Sequence, residues 1–298
     1  MKKPLFIAAL FLAAAAAPAH AADTAECAAG LHEGKRVTIL DEGSGPDVVL
    51  IPGLSSPRAV WDATAARLKD RYRLHIVQVR GFGDEAGANA EGPVLEPMMR
   101  EVADYIDDCI TDQGRPAPAV IGHSLGGLTG LMIAARVPQE VGRLMVVDSL
   151  PFFGMLFGPT ATVEMVEPQA AAMRKMLAAR DNAEADERTL QSMSATDAGR
   201  AQVKAWTREA DARVAAQLLY DDMTMDMRPE LGAIGAPLTI LYPVDARAMP
   251  ADMVDALYKA AFADAPTPTL KRIDDSRHFI MLDQPEAFAK AVEVFLAE

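Results

Sequence analysis

Beyond its first two dozen residues the chain has no run of about 18 apolar residues, so no later segment reads as a bilayer-spanning helix. Basic charge is also scarce. Setting aside Lys2 and Lys3, 27 basic side chains face 42 acidic ones, a net charge of −15. That balance argues against nucleic acid as a partner and against electrostatic binding to anionic membranes. Cysteine is limited to Cys27 and Cys109, too few and too far apart, with no histidine cluster nearby, to suggest a metal site. The two could form a disulfide or remain free thiols, and the sequence leaves that open. No internal repeat is visible. Neither a metal nor an organic cofactor is implied.

What is present begins with a targeting pattern. Lys2 and Lys3, the apolar stretch Leu5 to Ala17, and Ala19-His20-Ala21 read as a secretory signal over residues 1–22, cleaved near Ala21. The expectation is an exported protein, periplasmic or secreted, with no stable membrane insertion. The oligomeric state is not legible.

The rest alternates. Arg36–Leu40 and Val48–Ile51 are β-branched runs around a Gly43-Ser44-Gly45-Pro46 turn signal, expected to form a hairpin. A helix over 59–68 puts Trp61, Ala65 and Leu68 on one face. A strand (72–79), a glycine-rich loop from Arg80, a helix (95–110), a strand ending near Ile121, a helix (128–135) and a strand (144–147) follow. This is the rhythm of an α/β fold with a mostly parallel sheet covered on both faces. From Phe152 to Leu231 strand patterning stops. The composition there favours helices, and the segment holds half of the chain's 16 methionines. It reads as a helical lid over residues 151–231, inserted into a core of residues 23–150 and 232–298. A strand (237–242), helix (251–263), strand (269–273) and helix (285–297) close the chain.

The stretch that organises the chemistry is Gly122-His123-Ser124-Leu125-Gly126. It fits G-x-S-x-G between an apolar strand and an apolar helix, the context in which a serine is presented on a strained turn as a nucleophile. A serine hydroxyl needs a base, and the base needs an orienting acid. Four histidines follow the signal segment: His32, His75, His123 and His278. His32 and His75 lie in the N-terminal stretch and within a strand, where structural roles are expected. His123 belongs to the elbow and cannot readily turn back on its neighbour. His278 stands on the loop between the last strand and the closing helix, which makes it the expected base. Asp245, at the carboxyl end of the preceding strand, is the expected acid, and Ser124, Asp245, His278 follow in nucleophile–acid–base order. Asp148, ending the strand after the elbow, is the alternative. The oxyanion hole is expected from the backbone N–H groups of Leu125 and Leu54, with Ser55 in reserve.

With these residues in place, positions 36–298 resemble the α/β-hydrolase superfamily, in its lid-bearing serine hydrolase branch. The resemblance is carried by Pro52-Gly53-Leu54, Arg80-Gly81-Phe82-Gly83, the elbow Gly122–Gly127, Asp245, and His278-Phe279 ahead of Gln284-Pro285-Glu286. Two departures stand out: Pro52 occupies the place of a usual histidine, and Pro243-Val244-Asp245 replaces a common Gly-x-x-Asp. The resemblance implies acyl transfer from a small-molecule, ester-like substrate through an acyl-enzyme, while the Met and Phe content of the lid suggests an apolar pocket. Serine at the elbow separates the chain from the epoxide hydrolase and haloalkane dehalogenase branches, which carry aspartate there. C–C bond, lactone or amide hydrolysis by the same residues, or a non-catalytic lidded binding protein, are the competing expectations.

Overall fold

Five of the chain's strands are mainly apolar and buried over nearly their whole length, and strands of that kind need a partner on both edges and cover on both faces. A computed structural model describes Cys27 and residues 29–298 of the chain. The expected signal segment therefore lies outside the described residues. The strands are β1 (Gly30–Glu33), β2 (Val37–Gly43), β3 (Asp47–Ile51), β4 (Arg73–Val79), β5 (Ala119–His123), β6 (Arg143–Val147), β7 (Leu238–Val244) and β8 (Thr269–Asp274). They form one eight-stranded sheet in the order β1-β2-β4-β3-β5-β6-β7-β8. From β4 to β8 every pairing is parallel; only the β1–β2 and β2–β4 pairings are antiparallel, so β2 alone runs against the other strands. β3 is buried at all five positions, whereas the edge strands β1 and β8 alternate between half-buried and exposed.

The expected hairpin between the first two apolar runs does not form. β4 lies between β2 and β3, antiparallel to the former and parallel to the latter. The glycines of the intervening turn serve close approach instead. A Cβ on Gly43 would lie 2.4 Å from the Tyr72 carbonyl and one on Gly45 2.3 Å from that of Arg71, so the turn is pressed against the chain entering β4.

The helices of the core are α1 (Asp62–Leu68), α2 (Leu95–Ile106) and α3 (Leu125–Arg136). α2 widens after Ile106 into a turn in which Asp112 N donates to Asp107 O, and this turn carries Cys109. Cys109 is bonded to Cys27, with Cα atoms 5.2 Å apart, which settles the open question of the thiols and ties residue 27 to the flank of the sheet.

Between β6 and β7 the chain builds α4 (Val163–Ala178), α5 (Glu187–Met193), α6 (Asp197–Glu209) and α7 (Ala212–Thr224). Its only strand-like pairings among the described residues are the isolated bridges Phe82–Ala210 and Phe152–Asp226. α7 anchors this insertion to the core: Asp211 N donates to Gly81 O at 2.7 Å, and Asp221 Oδ2 accepts from Val94 N and Leu95 N at 3.0 and 3.1 Å, capping α2. A carboxylate on those free N–H groups is favoured by the helix dipole as well. The chain closes with α8 (Ala251–Ala261), α9 (Ile280–Asp283) and α10 (Pro285–Ala297). Val49, Ile51, Val120 and Leu128 lie in one apolar core; Leu50, Trp61, Ile121, Leu241 and Phe295 lie in another. Each such fully buried side chain is worth roughly 1.5–3 kcal/mol.

Candidate active site

Ser124 separates β5 from α3 with φ 53° and ψ −122°. A non-glycine residue in this region costs ~1–3 kcal/mol and persists only where its surroundings over-determine it. Here they do. Ser124 N donates to Val147 O at 2.9 Å, while Ser124 O accepts from Gly127 N at 2.7 Å and Leu128 N at 3.1 Å. The flanking glycines are required by contact: a Cβ on Gly122 would lie 2.1 Å from Gly126 O, and one on Gly126 2.2 Å from Ile51 O. The turn is thus wedged between two strands, which presents the serine at the carboxyl end of the sheet.

His278 follows β8 on a loop at the same end. Its Nδ1 lies 2.6 Å from Asp148 Oδ2. Asp148 directly follows β6, with φ 45°, and its N–H donates to Leu241 O at 2.8 Å. Its other carboxylate oxygen accepts from the buried Tyr258 hydroxyl. Burial opposes ionisation of Asp148, but the hydrogen bond and charge of His278, with the Tyr258 hydroxyl, outweigh it and hold the carboxyl below its ordinary range. The same burial, reinforced by the Asp148 carboxylate, pushes the Tyr258 phenol well above its usual value. Because Asp148 occupies Nδ1, Nε2 is the imidazole nitrogen left for Ser124.

Asp245, expected as the acid, is engaged elsewhere. Its Oδ1 accepts from Arg247 Nε at 2.8 Å and Arg247 N at 3.1 Å, and its Oδ2 from Arg277 Nε at 2.8 Å. The Arg247 hydrogen bond, against the opposition of burial and with help from Arg277, brings its carboxyl down to about 2. The alternative, Asp148, is the carboxylate that meets the histidine. β6 and β7 are adjacent and parallel, so both acids emerge side by side. The two arginines claim one, and the left-handed backbone at Asp148 turns the other toward the imidazole.

The other expectations fall as follows. A Cβ on Gly53 would lie 3.0 Å from both Ser124 Cβ and His123 Nδ1, so the loop carrying Leu54 runs against Ser124, and Leu125 opens α3 directly after it. Ser55 in that loop has φ 55°. His123 is fully buried and its Nε2 donates to His278 O at 3.0 Å, a brace under the histidine loop. Burial, with the charge of His278, pushes its imidazole down to about 3, so it stays neutral. His75 is buried between Asp47 and Tyr105, 2.8 Å from each, and the His32 ring lies tilted against that of Tyr105, centroids 5.0 Å apart.

Two residues at the site carry no sequence signal. Tyr258 is an ordinary helix residue until α8 packs on β7. Asp222 lies on α7 in the same stripe as the fully buried Ala215 and Leu218, which precede it by two turns and one turn. Burial raises its carboxyl to about 7, with His278 opposing the rise and Asp221 adding to it. Among the described residues no group of three His, Cys, Asp or Glu side chains could hold a metal ion, and no helix is long and apolar enough to cross a membrane.

The same architecture is widespread. The pimeloyl-[acyl-carrier protein] methyl ester esterase of Vibrio campbellii is 38% identical over 112 residues, 37% of this chain and 40% of that protein's length. Its counterpart from Nitrosomonas europaea is 27% identical over 259 residues, 84% of this chain and 96% of the relative. The enol-lactonase of Burkholderia xenovorans LB400 superposes with a TM-score of 0.68 at 21% identity, covering 88% of this chain and 96% of that one. A thermophilic esterase from Thermogutta terrifontis reaches 0.72 at 17% identity over 88% and 93% of the two chains, and at such identities the likeness is one of fold. The model of the alpha/beta hydrolase family matches residues 48–291, which hold the six strands β3 to β8 together with the insertion. With the elbow, the parallel sheet and this match in agreement, the chain belongs to the alpha/beta hydrolase family.

Proposed function

We propose that the protein is a serine hydrolase acting on ester-like bonds of small, predominantly apolar substrates, with Ser124 as nucleophile, His278 as base and Asp148 as the acid that orients it. The observation that carries this reading is the 2.6 Å contact between His278 Nδ1 and Asp148 Oδ2 at the same sheet end as the strained Ser124. Ser124 Oγ attacks the carbonyl and its proton passes to His278 Nε2. The imidazolium is stabilised through its Nδ1–H by Asp148. The tetrahedral oxyanion is taken up by the backbone N–H groups of Leu54 and Leu125, fixed donors aimed where the charge develops. His278 then returns the proton to the leaving alcohol. Water, activated by the same imidazole, releases the acyl group.

The names of the relatives support an ester: two are methyl ester esterases, and a structural neighbour is an enol-lactonase. A lactone is an internal ester and needs no further group. The methionines of the insertion, which is read as a lid over Ser124, favour an apolar acyl or alcohol portion. Export to an oxidising compartment accords with the amino-terminal pattern and with the Cys27–Cys109 disulfide.

The reading is tested with a fluorophosphonate probe and a panel of esters of increasing acyl length. Labelling and turnover are expected in the wild type and absent in Ser124→Ala. A wild type that is neither labelled nor active, beside a serine hydrolase that is, would leave a non-catalytic binding protein.

A further inference from the structure

His278 is tied to the helical insertion on both of its sides. After it, Phe279 N donates to Met193 O at 2.9 Å. Before it, the Arg277 guanidinium donates to the Gln191 carbonyl. Arg277 N donates to Asp283 Oδ2 at 2.9 Å, and that oxygen also accepts from Ala195 N at 2.9 Å. Asp283 Oδ1 accepts from the Ser194 hydroxyl. The two residues that flank the histidine are thereby stitched, directly and through Asp283, to one short stretch, the end of α5 and the turn that follows it.

Asp245 completes the arrangement. Its side chain is 3% exposed, and its Oδ2 receives Arg277 Nε at 2.8 Å. A guanidinium is planar, so fixing the direction of Nε also fixes where its terminal nitrogens point. Arg247 on the other carboxylate oxygen keeps Asp245 from rotating.

We propose that Arg277, oriented by Asp245, acts with Asp283 to position His278 by pinning its loop to Gln191–Ala195 of the insertion. The inference rests on the serine hydrolase reading above. It makes this stretch a fixed wall of the site. It also gives the carboxylate at the end of β7 a positioning role in place of orienting the imidazole. Releasing the wall shifts the imidazole relative to Ser124, and a displacement of about 1 Å can cost about 100-fold in rate.

The test measures kcat and KM on a short-chain p-nitrophenyl ester, the rate of fluorophosphonate labelling, and Tm. The variants are Arg277→Ala, Arg277→Lys, Asp245→Asn and Asp283→Asn, with Ser124→Ala as control. In Arg277→Ala, kcat is expected to fall ~10–100-fold. KM should stay within about 3-fold, because the loss is confined to the reacting geometry. Labelling should slow in parallel. Arg277→Lys should recover part of kcat, since an ammonium can hold one of the two partners. Asp245→Asn and Asp283→Asn should fall between these and the wild type. A variant set that loses Tm while keeping kcat, or that changes KM alone, overturns the proposal. Should Arg277→Ala fail to fold, the two milder variants decide: wild-type kcat in both Arg277→Lys and Asp245→Asn overturns it, and reduced kcat at wild-type Tm supports it. Hydrolysis and labelling that survive Ser124→Ala would instead remove the serine hydrolase reading, and this inference with it.

Discussion

Asp148 and His278 are joined by a 2.6 Å contact across 130 residues of sequence, from the end of β6 to the loop after β8. The contact identifies which of two neighbouring carboxylates serves the imidazole. Asp148→Asn is expected to lower kcat ~10³–10⁴-fold, because the amide favours the wrong histidine tautomer. Asp245→Asn should cost only ~10-fold, through misplacement of the loop. Steady-state kinetics of both variants on one ester checks the ranking, and the reverse order would restore Asp245 as the acid.

Tyr258 donates its hydroxyl to the second oxygen of Asp148 from a wholly buried position. Tyr258→Phe leaves that oxygen unsatisfied. A destabilisation of ~1–3 kcal/mol is expected, the cost of a buried acceptor without its partner. Urea denaturation measures the loss, and a fall in kcat alongside it would show that the hydroxyl also aligns the carboxylate.

Ser124 sits at φ 53°, a region that glycine occupies without penalty. Ser124→Gly should abolish turnover while raising stability by ~1 kcal/mol, the usual signature of strain held at a functional residue. Thermal unfolding of Ser124→Gly beside Ser124→Ala isolates the backbone term, since both remove the hydroxyl. A Gly variant less stable than the Ala variant would contradict it.

Asp222 has its carboxyl raised to about 7 by burial. The folded state then holds its proton at a pH where the unfolded state has released it, so the native state binds more protons between about pH 4 and 7. Stability from this group therefore falls as pH rises through that window. Asp222→Asn should differ least from the wild type near pH 4 and gain on it progressively up to about pH 7, by ~1–3 kcal/mol in all because the side chain is only half-buried. Denaturation at four pH values between 5 and 8 reads the slope, and a pH-independent difference would refute it.

The Cys27–Cys109 disulfide closes a loop across a sequence separation of 82. Cross-links of that span typically stabilise by ~2–4 kcal/mol, chiefly by restricting the unfolded chain. Reduction under native conditions, or Cys27→Ala with Cys109→Ala, should lower Tm while leaving kcat unchanged, because the bond sits on the flank of α2 away from Ser124. A parallel loss of kcat would place the amino terminus in the catalytic arrangement.

Local chemistry was legible in the chain itself. The elbow is decided within five residues, because Gly122 and Gly126 must lack side chains for the turn to pass between strands. The buried strands announce themselves as apolar runs, and His278 is singled out by standing between the last strand and the closing helix. Choices between equivalent partners were settled only by tertiary structure. Whether β2 pairs with β3 or β4 depends on which neighbour can also cover β3, and that involves segments far apart in sequence. Whether Asp148 or Asp245 meets His278 depends on Arg247 and Arg277 converging on one carboxylate, and on Tyr258 arriving beside the other from α8. Steric rules over consecutive residues are written in the sequence. Competition among charges for partners is resolved only where the folded chain brings them within hydrogen-bonding reach.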